Sequence, residues 1–369
     1  MPTEEVAPLA LVHDYLTQRG GAERVVEVFA QAFPGAPVYT SLYDPDATFE
    51  AFRTIDVRTG ILNHVGALRR HHRVALPVLA PWFATQHINA EIVLASSSGW
   101  AHEARTDGRL VVYCHAPARW LYQQDRYLRS TGGSEAARTA ARLALGAVTP
   151  LLRRVDVAAA RRADTYLANS TATAARVEQL YDRSAEVLCP PPALDPAGPV
   201  RPVDGIAAGM VLCVSRLLAY KHVDVVTAAA ALLPDRQFVV VGAGPERRRL
   251  EADAPSNVTF LGVIEDDQLR WCYDAAAVLV AVSFEDFGLT PLEAASFGTP
   301  TVARRFGGYL DTVIDGTTGV LLDDVVPESV AASICELEKS PPTRATLEAH
   351  AATFGRARFV GRLHEIIAG

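Results

Sequence analysis

The chain has 369 residues, enough for two domains that each bury a core, and its 49% apolar and 21% charged residues form a globular balance that argues against extended disorder. A formal net charge of -7 disfavours a general nucleic-acid binder, which draws on excess Lys and Arg. Cys114, Cys189, Cys213, Cys272 and Cys335 show no metal-knuckle or disulfide spacing, the first residues lack a basic start and apolar core, and no run approaches about 20 apolar residues. A cytoplasmic, reducing setting is expected, with peripheral contact at the inner face of a membrane left open.

In chain order, Leu9 to His13 reads as a short strand, and Gly20-Gly21 precedes a helical pattern from Ala22 to Phe33. Strand, glycine turn and helix start make either a plain turn or a phosphate cradle, because glycine lets an anion approach amides at the positive end of the helix dipole. His13 reads as structural. Strand-like runs follow at Val38 to Leu42, Ile55 to Val57 and Glu91 to Ala95. Between them, residues 62–83 mix Arg69, Arg70, His71, His72 and Arg73 with Leu, Val and Trp. This stretch suits peripheral contact with an anionic membrane, or else a solvated helix face followed by a loop broken at Pro77 and Pro81.

Leu110 to His115 is another buried run, which sets His115 at the carboxyl rim where open α/β sheets bind ligands. Ser134 to Ala163 reads as one long helix or two, interrupted near Thr149-Pro150, with Arg153, Arg154, Arg161 and Arg162 solvated or paired. Thr165 to Ala168 is a strand, and Asn169-Ser170 caps a helix reaching about Tyr181. The proline-rich run CPPPALDPAGPVRPV, Cys189 to Val203, admits neither a regular helix nor an interior strand. It divides residues 1–190 from a second domain, 205–345, with 191–204 as the linker.

That second domain restarts with a strand, Gly209 to Ser215. Arg216 and Lys221 follow, two cations placed to neutralise a diphosphate, unless Lys221 simply pairs with Asp224. Gln237 to Val241 is a strand that Gly242-Ala-Gly-Pro245 turns into a helix. The apolar run Ala277 to Val282 then leads into SFEDFGLTPLEAASFGTP, Ser283 to Pro300. Here Glu285 and Glu293 are separated by seven residues, Thr290 is a candidate N-cap and Pro291 the first helical residue. Two carboxylates beside a helix end suit the hydroxyls and phosphates of a nucleotide sugar, although Thr290-x-x-Glu293 also fits a capping box. Thr299 to Ala303 and Gly316 to Leu322 close further strands. Arg304 and Arg305 either adjust ligand contacts or face solvent, and Pro327 to Ala368 is helical.

Five stretches in order, HDYLTQRGGAERV, VVYCHAPARWLYQ, SRLLAYKHVD, VVGAGPERRRLE and the E-x7-E run, resemble the retaining glycosyltransferases of family 4, the group 1 glycosyltransferases. The resemblance implies an α/β, GT-B fold of two Rossmann-like doubly wound domains facing across a cleft, with 346–369 crossing back to the N-terminal domain. It implies a retaining, metal-independent hexosyltransferase that moves sugar from a nucleoside-diphosphate sugar, UDP- or GDP-linked, to a saccharide, lipid-linked or small-molecule hydroxyl. No cofactor and no metal is implied. Alternatives are a sugar-phosphate synthase or phosphorylase on the same fold, or a catalytically silent sugar-nucleotide-binding protein.

By resemblance, His115 faces the donor sugar, Glu285 contacts the sugar and Glu293 the ribose, and Arg216 and Lys221 clamp the diphosphate. Gly20, Gly21, Gly242, Gly288, Leu289 and Thr290 line the phosphates and nucleotide, and Asp14 and Arg24 are candidates to reach an acceptor. Val263 and Ile264, in NVTFLGVIEDDQL, line the base.

Overall fold

The computed structural model describes residues 6–70, 72–124 and 135–369. These fall into two compact units, Met1–Pro190 with Phe359–Gly369, and Pro191–Arg358.

Among the described residues the first unit is built on seven parallel strands: β1 (Ala7–His13), β2 (Val38–Thr40), β3 (Val57–Thr59), β4 (Ala90–Ser97), β5 (Arg109–Cys114), β6 (Thr165–Ala168) and β7 (Glu186–Val187). Their order is β3-β2-β1-β4-β5-β6-β7. Runs such as Leu9 to Val12 and Leu110 to Tyr113 are apolar on both faces, as a parallel sheet covered by helices on each side demands. One face packs Val12, Val93 and Val112 with Phe83, Trp100 and Tyr181, and the other packs Leu11, Leu94 and Val111 with Phe29. Phe359, Leu363 and Ile366, from the helix Arg356–Ala368, complete that second layer; Phe359 stacks on Phe29 at 6.0 Å.

The second unit has six parallel strands, β8 (Val211–Val214), β9 (Phe238–Val241), β10 (Val258–Gly262), β11 (Val278–Ala281), β12 (Thr301–Arg304) and β13 (Gly319–Leu322), ordered β10-β9-β8-β11-β12-β13. In both sheets the order reverses beside the first strand, between β1 and β4 and between β8 and β11. Open α/β sheets bind ligands outside the carboxyl ends of the strands at this reversal. His13, Ser96 and Ser97 lie at one such point, and the loops after Val214 and Ala281 lie at the other.

Three expectations change in detail. The helix His72–Thr85 runs through both Pro77 and Pro81, with no loop breaking there, because Leu79, Ala80 and Phe83 anchor it in the core against the lost backbone bonds. Glu135–Arg162 is one helix through Pro150. Pro150 and Gly146 are both exposed, so the carbonyl that Pro150 leaves unpaired one turn back meets water. The proline-rich segment packs on the second unit, where Leu194 and Val203 are buried and Arg201 pairs with Asp267. His71 lies outside the described residues, as do the side chains of His72 and Arg73. Among the described residues no helix is long and apolar enough to cross a membrane.

Candidate functional site

In the second unit the chain leaves β8 through Arg216, forms a 3-10 turn at Ala219–Lys221, and turns at His222 (φ 54°) into the helix Val223–Ala231. This turn folds Lys221 inward until its side chain is 8% exposed. Its partner is Glu285, not Asp224: Lys221 Nζ donates to Glu285 Oε1 across 64 positions of sequence. An ammonium this buried needs a counter-charge, and the loop after β11 supplies it. Ser283 Oγ donates to the same Oε1 at 2.9 Å and lies 2.9 Å from the Tyr309 hydroxyl, so the carboxylate is held from two sides. Arg216 is exposed, with its Nη2 3.3 Å from the Tyr220 hydroxyl.

The next helix is Leu289–Ser296, with Gly288 as N-cap at φ 85°. The expected start at Thr290 and Pro291 is therefore displaced toward the N-terminus, and Thr290 lies inside the first turn. Pro291 costs nothing there, since the first four amides of a helix have no intrahelical acceptor. Glycine is required at 288: the positive φ disfavours a side chain, and a Cβ would come 2.5 Å from the Tyr309 ring. The amides of Leu289 and Thr290 lie at the positive end of this helix, downstream of the Lys221–Glu285 pair.

Glu293, expected in the first turn, is the fifth helical residue and is buried. Its Oε2 accepts from the Tyr273 hydroxyl at 2.7 Å. Burial, then the Glu293 charge, pushes the Tyr273 phenol well above its ordinary range, so it remains a donor. Tyr273→Phe should cost about 1–2 kcal/mol of unfolding free energy, the loss of one partner of a buried acid, read by thermal or urea unfolding.

Gly242 has φ 133°, and a Cβ there would lie 2.0 Å from the Ser215 carbonyl. Only glycine lets the β9 turn pass so close to the end of β8. Val263 is 79% exposed, whereas Ile264 packs partly into the core. Arg304 stacks on Phe284 at 3.8 Å, and Arg305 pairs with Asp315 and Asp323.

In the first unit, Gly20 is the extended N-cap of the helix Gly21–Ala32, as the glycine pair implied. Its first turn already carries a carboxylate, Glu23, 1% exposed, which accepts from Gln18 Nε2 at 2.9 Å and lies 4.0 Å from His13 Nε2. Burial works against the charge on His13, but Glu23, then Asp14 and the Ser96 carbonyl, outweigh it and raise the imidazolium above its ordinary value. Glu23 is held below the usual carboxylate range despite its burial, by His13 and then Gln18. His13 Nδ1 lies 3.1 Å from both the carbonyl and hydroxyl oxygens of Ser96, and Ser96 Oγ lies 2.8 Å from His115 Nε2.

Asp14 is not available to an acceptor. Its carboxylate accepts from the amides of Ser98, Trp100 and Ala101 at 2.6, 2.7 and 2.8 Å, closing the turn after β4. Arg24 stacks on Phe49 and pairs with Glu27. Deeper in this unit, Ser97 Oγ, His102 and Asp156 form a chain of 2.9 and 3.0 Å contacts. Each of the three is at most 2% exposed, so this serine-histidine-aspartate series meets no solvent or substrate and serves packing.

Sequence reading missed Ser283, Tyr273, Tyr309, Ser96 and Glu23. A signal existed for two of them: Ser96 opens a run of three serines ending an apolar strand, and Ser283 directly follows β11.

Residues 208–354 match the family model described as "Glycosyl transferases group 1". A D-inositol 3-phosphate glycosyltransferase of Mycolicibacterium gilvum is 36% identical over 172 residues, 42% of this chain and 38% of the relative, so the chain spans well under two thirds of that relative's length. Sucrose-phosphate synthase from Thermosynechococcus elongatus superposes with a TM-score of 0.70 over 98% of both chains at 21% identity. Anabaena HepE in complex with UDP-glucose gives 0.69 over 98% of this chain and 99% of that one at 18% identity. Sequence similarity to group 1 glycosyl transferases therefore lies in residues 208–354, and the fold of the chain is the α/β, two-Rossmann GT-B fold.

Proposed function

We propose that this protein is a retaining, metal-independent family 4 glycosyltransferase that takes sugar from a nucleoside-diphosphate sugar and passes it to an acceptor hydroxyl. The observation that carries the reading is the buried Lys221 ammonium held against Glu285 at the reversal point of the second sheet, in the same segment as a helix N-terminus. In this reading the diphosphate takes its counter-charge from Lys221, Arg216 and the amides of Leu289 and Thr290. Gly242 closes the nucleotide side, Val263 and Ile264 flank the base, and Glu293 takes the ribose. Glu285 and His115 hold hydroxyls of the transferred sugar.

As the bond from the anomeric carbon to the β-phosphate oxygen breaks, negative charge grows on the leaving diphosphate. Cations and amides fixed in advance lower that barrier without reorganising and without calling on a metal ion. The acceptor oxygen forms the new bond on the face from which the diphosphate departs, and its proton passes to the departing phosphate oxygen.

The test is thermal unfolding with UDP, GDP, ADP and dTDP and their sugars. A binder at one hundred times its Kd stabilises by about 2.7 kcal/mol, so one base should raise Tm above the others. A flat panel would overturn nucleotide binding. Transfer should persist in EDTA with the donor's anomeric configuration kept in the product; an inverted product would end the retaining reading.

A further inference from the structure

We propose that Ser96 couples the buried Glu23–His13 pair to His115 and fixes the His115 ring with its proton on Nδ1. The tautomer follows from the first unit alone, while its use on a sugar rests on the function proposed above.

The proton count gives the direction. A carbonyl oxygen only accepts, so His13 Nδ1, 3.1 Å from the Ser96 carbonyl, carries a hydrogen. The same N–H lies 3.1 Å from Ser96 Oγ, which therefore receives it. Ser96 is 1% exposed, and its hydroxyl has a single proton. Among the described residues the remaining partner of Oγ is His115 Nε2, at 2.8 Å. If that nitrogen were protonated, both ring nitrogens would donate to the serine oxygen and the serine proton would be left unpaired, which is costly at this depth. The serine therefore donates, Nε2 accepts, and the His115 proton sits on Nδ1.

The Glu23 carboxylate, at an ion-pair distance from His13 Nε2 with Asp14 also nearby, favours the doubly protonated His13 ring, which makes Nδ1–H a stronger donor into the chain. The backbone reinforces the register. His13 and Ser96 are opposite partners in the parallel β1–β4 pair, and the His115 amide donates to the Ser97 carbonyl at 2.8 Å. Glu23, His13 and Ser96 act as positioning residues, through His115.

The experiment is nitrogen-15 NMR of histidine-labelled protein without ligand, with the His115 signals assigned by their loss in His115→Gln. His115 should show a protonated Nδ1 and a bare Nε2. Ser96→Ala should move the signals toward a mixed-tautomer average, and Ser96→Thr should restore them. A wild-type His115 protonated on Nε2 overturns the proposal even if Ser96→Ala does not fold. With the nucleotide sugar selected by the thermal panel, Ser96→Ala should lower kcat about tenfold, the worth of one hydrogen bond, with KM for that donor nearly unchanged and Ser96→Thr recovering most of the loss. Unchanged kcat beside a changed tautomer would overturn the link to transfer, and the tautomer reading stands apart from whether transfer occurs at all.

Discussion

Lys221→Met should lower transferase turnover by about 10²–10³-fold, the scale on which removing one preorganised charge-stabilising group acts. Methionine keeps most of the buried length and removes the ammonium, so the change falls on charge. Glu285 then loses its cation but keeps Ser283 Oγ and, at 22% exposed, retains access to water, which limits the cost to folding. Arg216→Met, at an exposed position, should cost about tenfold, the worth of a partly solvated charge contact. Asp224→Asn should leave turnover within about twofold, because the partner of Lys221 is Glu285. Steady-state kinetics with the donor that stabilises the protein, beside far-UV circular dichroism and melting curves, separates these outcomes. Full activity in a folded Lys221→Met protein would remove the clamp from the mechanism.

The second large effect concerns stability. Glu103 is 1% exposed, and among the described residues neither carboxylate oxygen has a hydrogen-bond partner. Burial first, and then Asp156 and Asp14 against the opposing pull of His102 and Arg162, pushes its carboxyl up to about 8. The folded protein therefore holds a proton that the unfolded chain has released. The stability contributed by that proton is complete below the ordinary glutamate value of 4.5 and is lost as pH rises through about 8. Glu103→Gln keeps the shape and removes the titration. Between about pH 5 and about pH 8.5, wild type should lose roughly 4 kcal/mol more unfolding free energy than the glutamine variant. Contributions from the His13–Glu23 pair are common to both proteins and cancel. Parallel pH curves from urea unfolding would show that Glu103 finds a partner for its charge.

The strands were legible because burial on both faces writes itself as unbroken apolar runs, as in Val211 to Val214 and Val278 to Ala281. Helix limits were less so. Thr290 and Pro291 read as a cap because residue type signals a start, yet the start was set by the backbone angle of Gly288 and by the Tyr309 ring, which arrives from 21 positions further on. Pro77, Pro81 and Pro150 read as breaks, because proline's local cost is visible in sequence and the packing or solvation that offsets it is not. The site residues after β8 and β11 were named from local pattern, while their pairing across 64 positions was invisible to it. Asp14 erred in the same direction. A carboxylate after a strand looks available until the three amides it satisfies, more than 80 positions away, fold onto it.

The return of Phe359–Gly369 to the first unit has a consequence for biosynthesis. Phe29 and Tyr113 are translated early, but the side chains that cover them, Phe359, Leu363 and Ile366, are made only after the whole Pro191–Arg358 unit. Throughout synthesis of the intervening Pro191–Arg358 unit, the nascent N-terminal sheet carries an uncovered aromatic face, exposed to misassociation and to chaperone capture. The later-encoded unit can close its own core first, so the order of completion runs opposite to the order of translation.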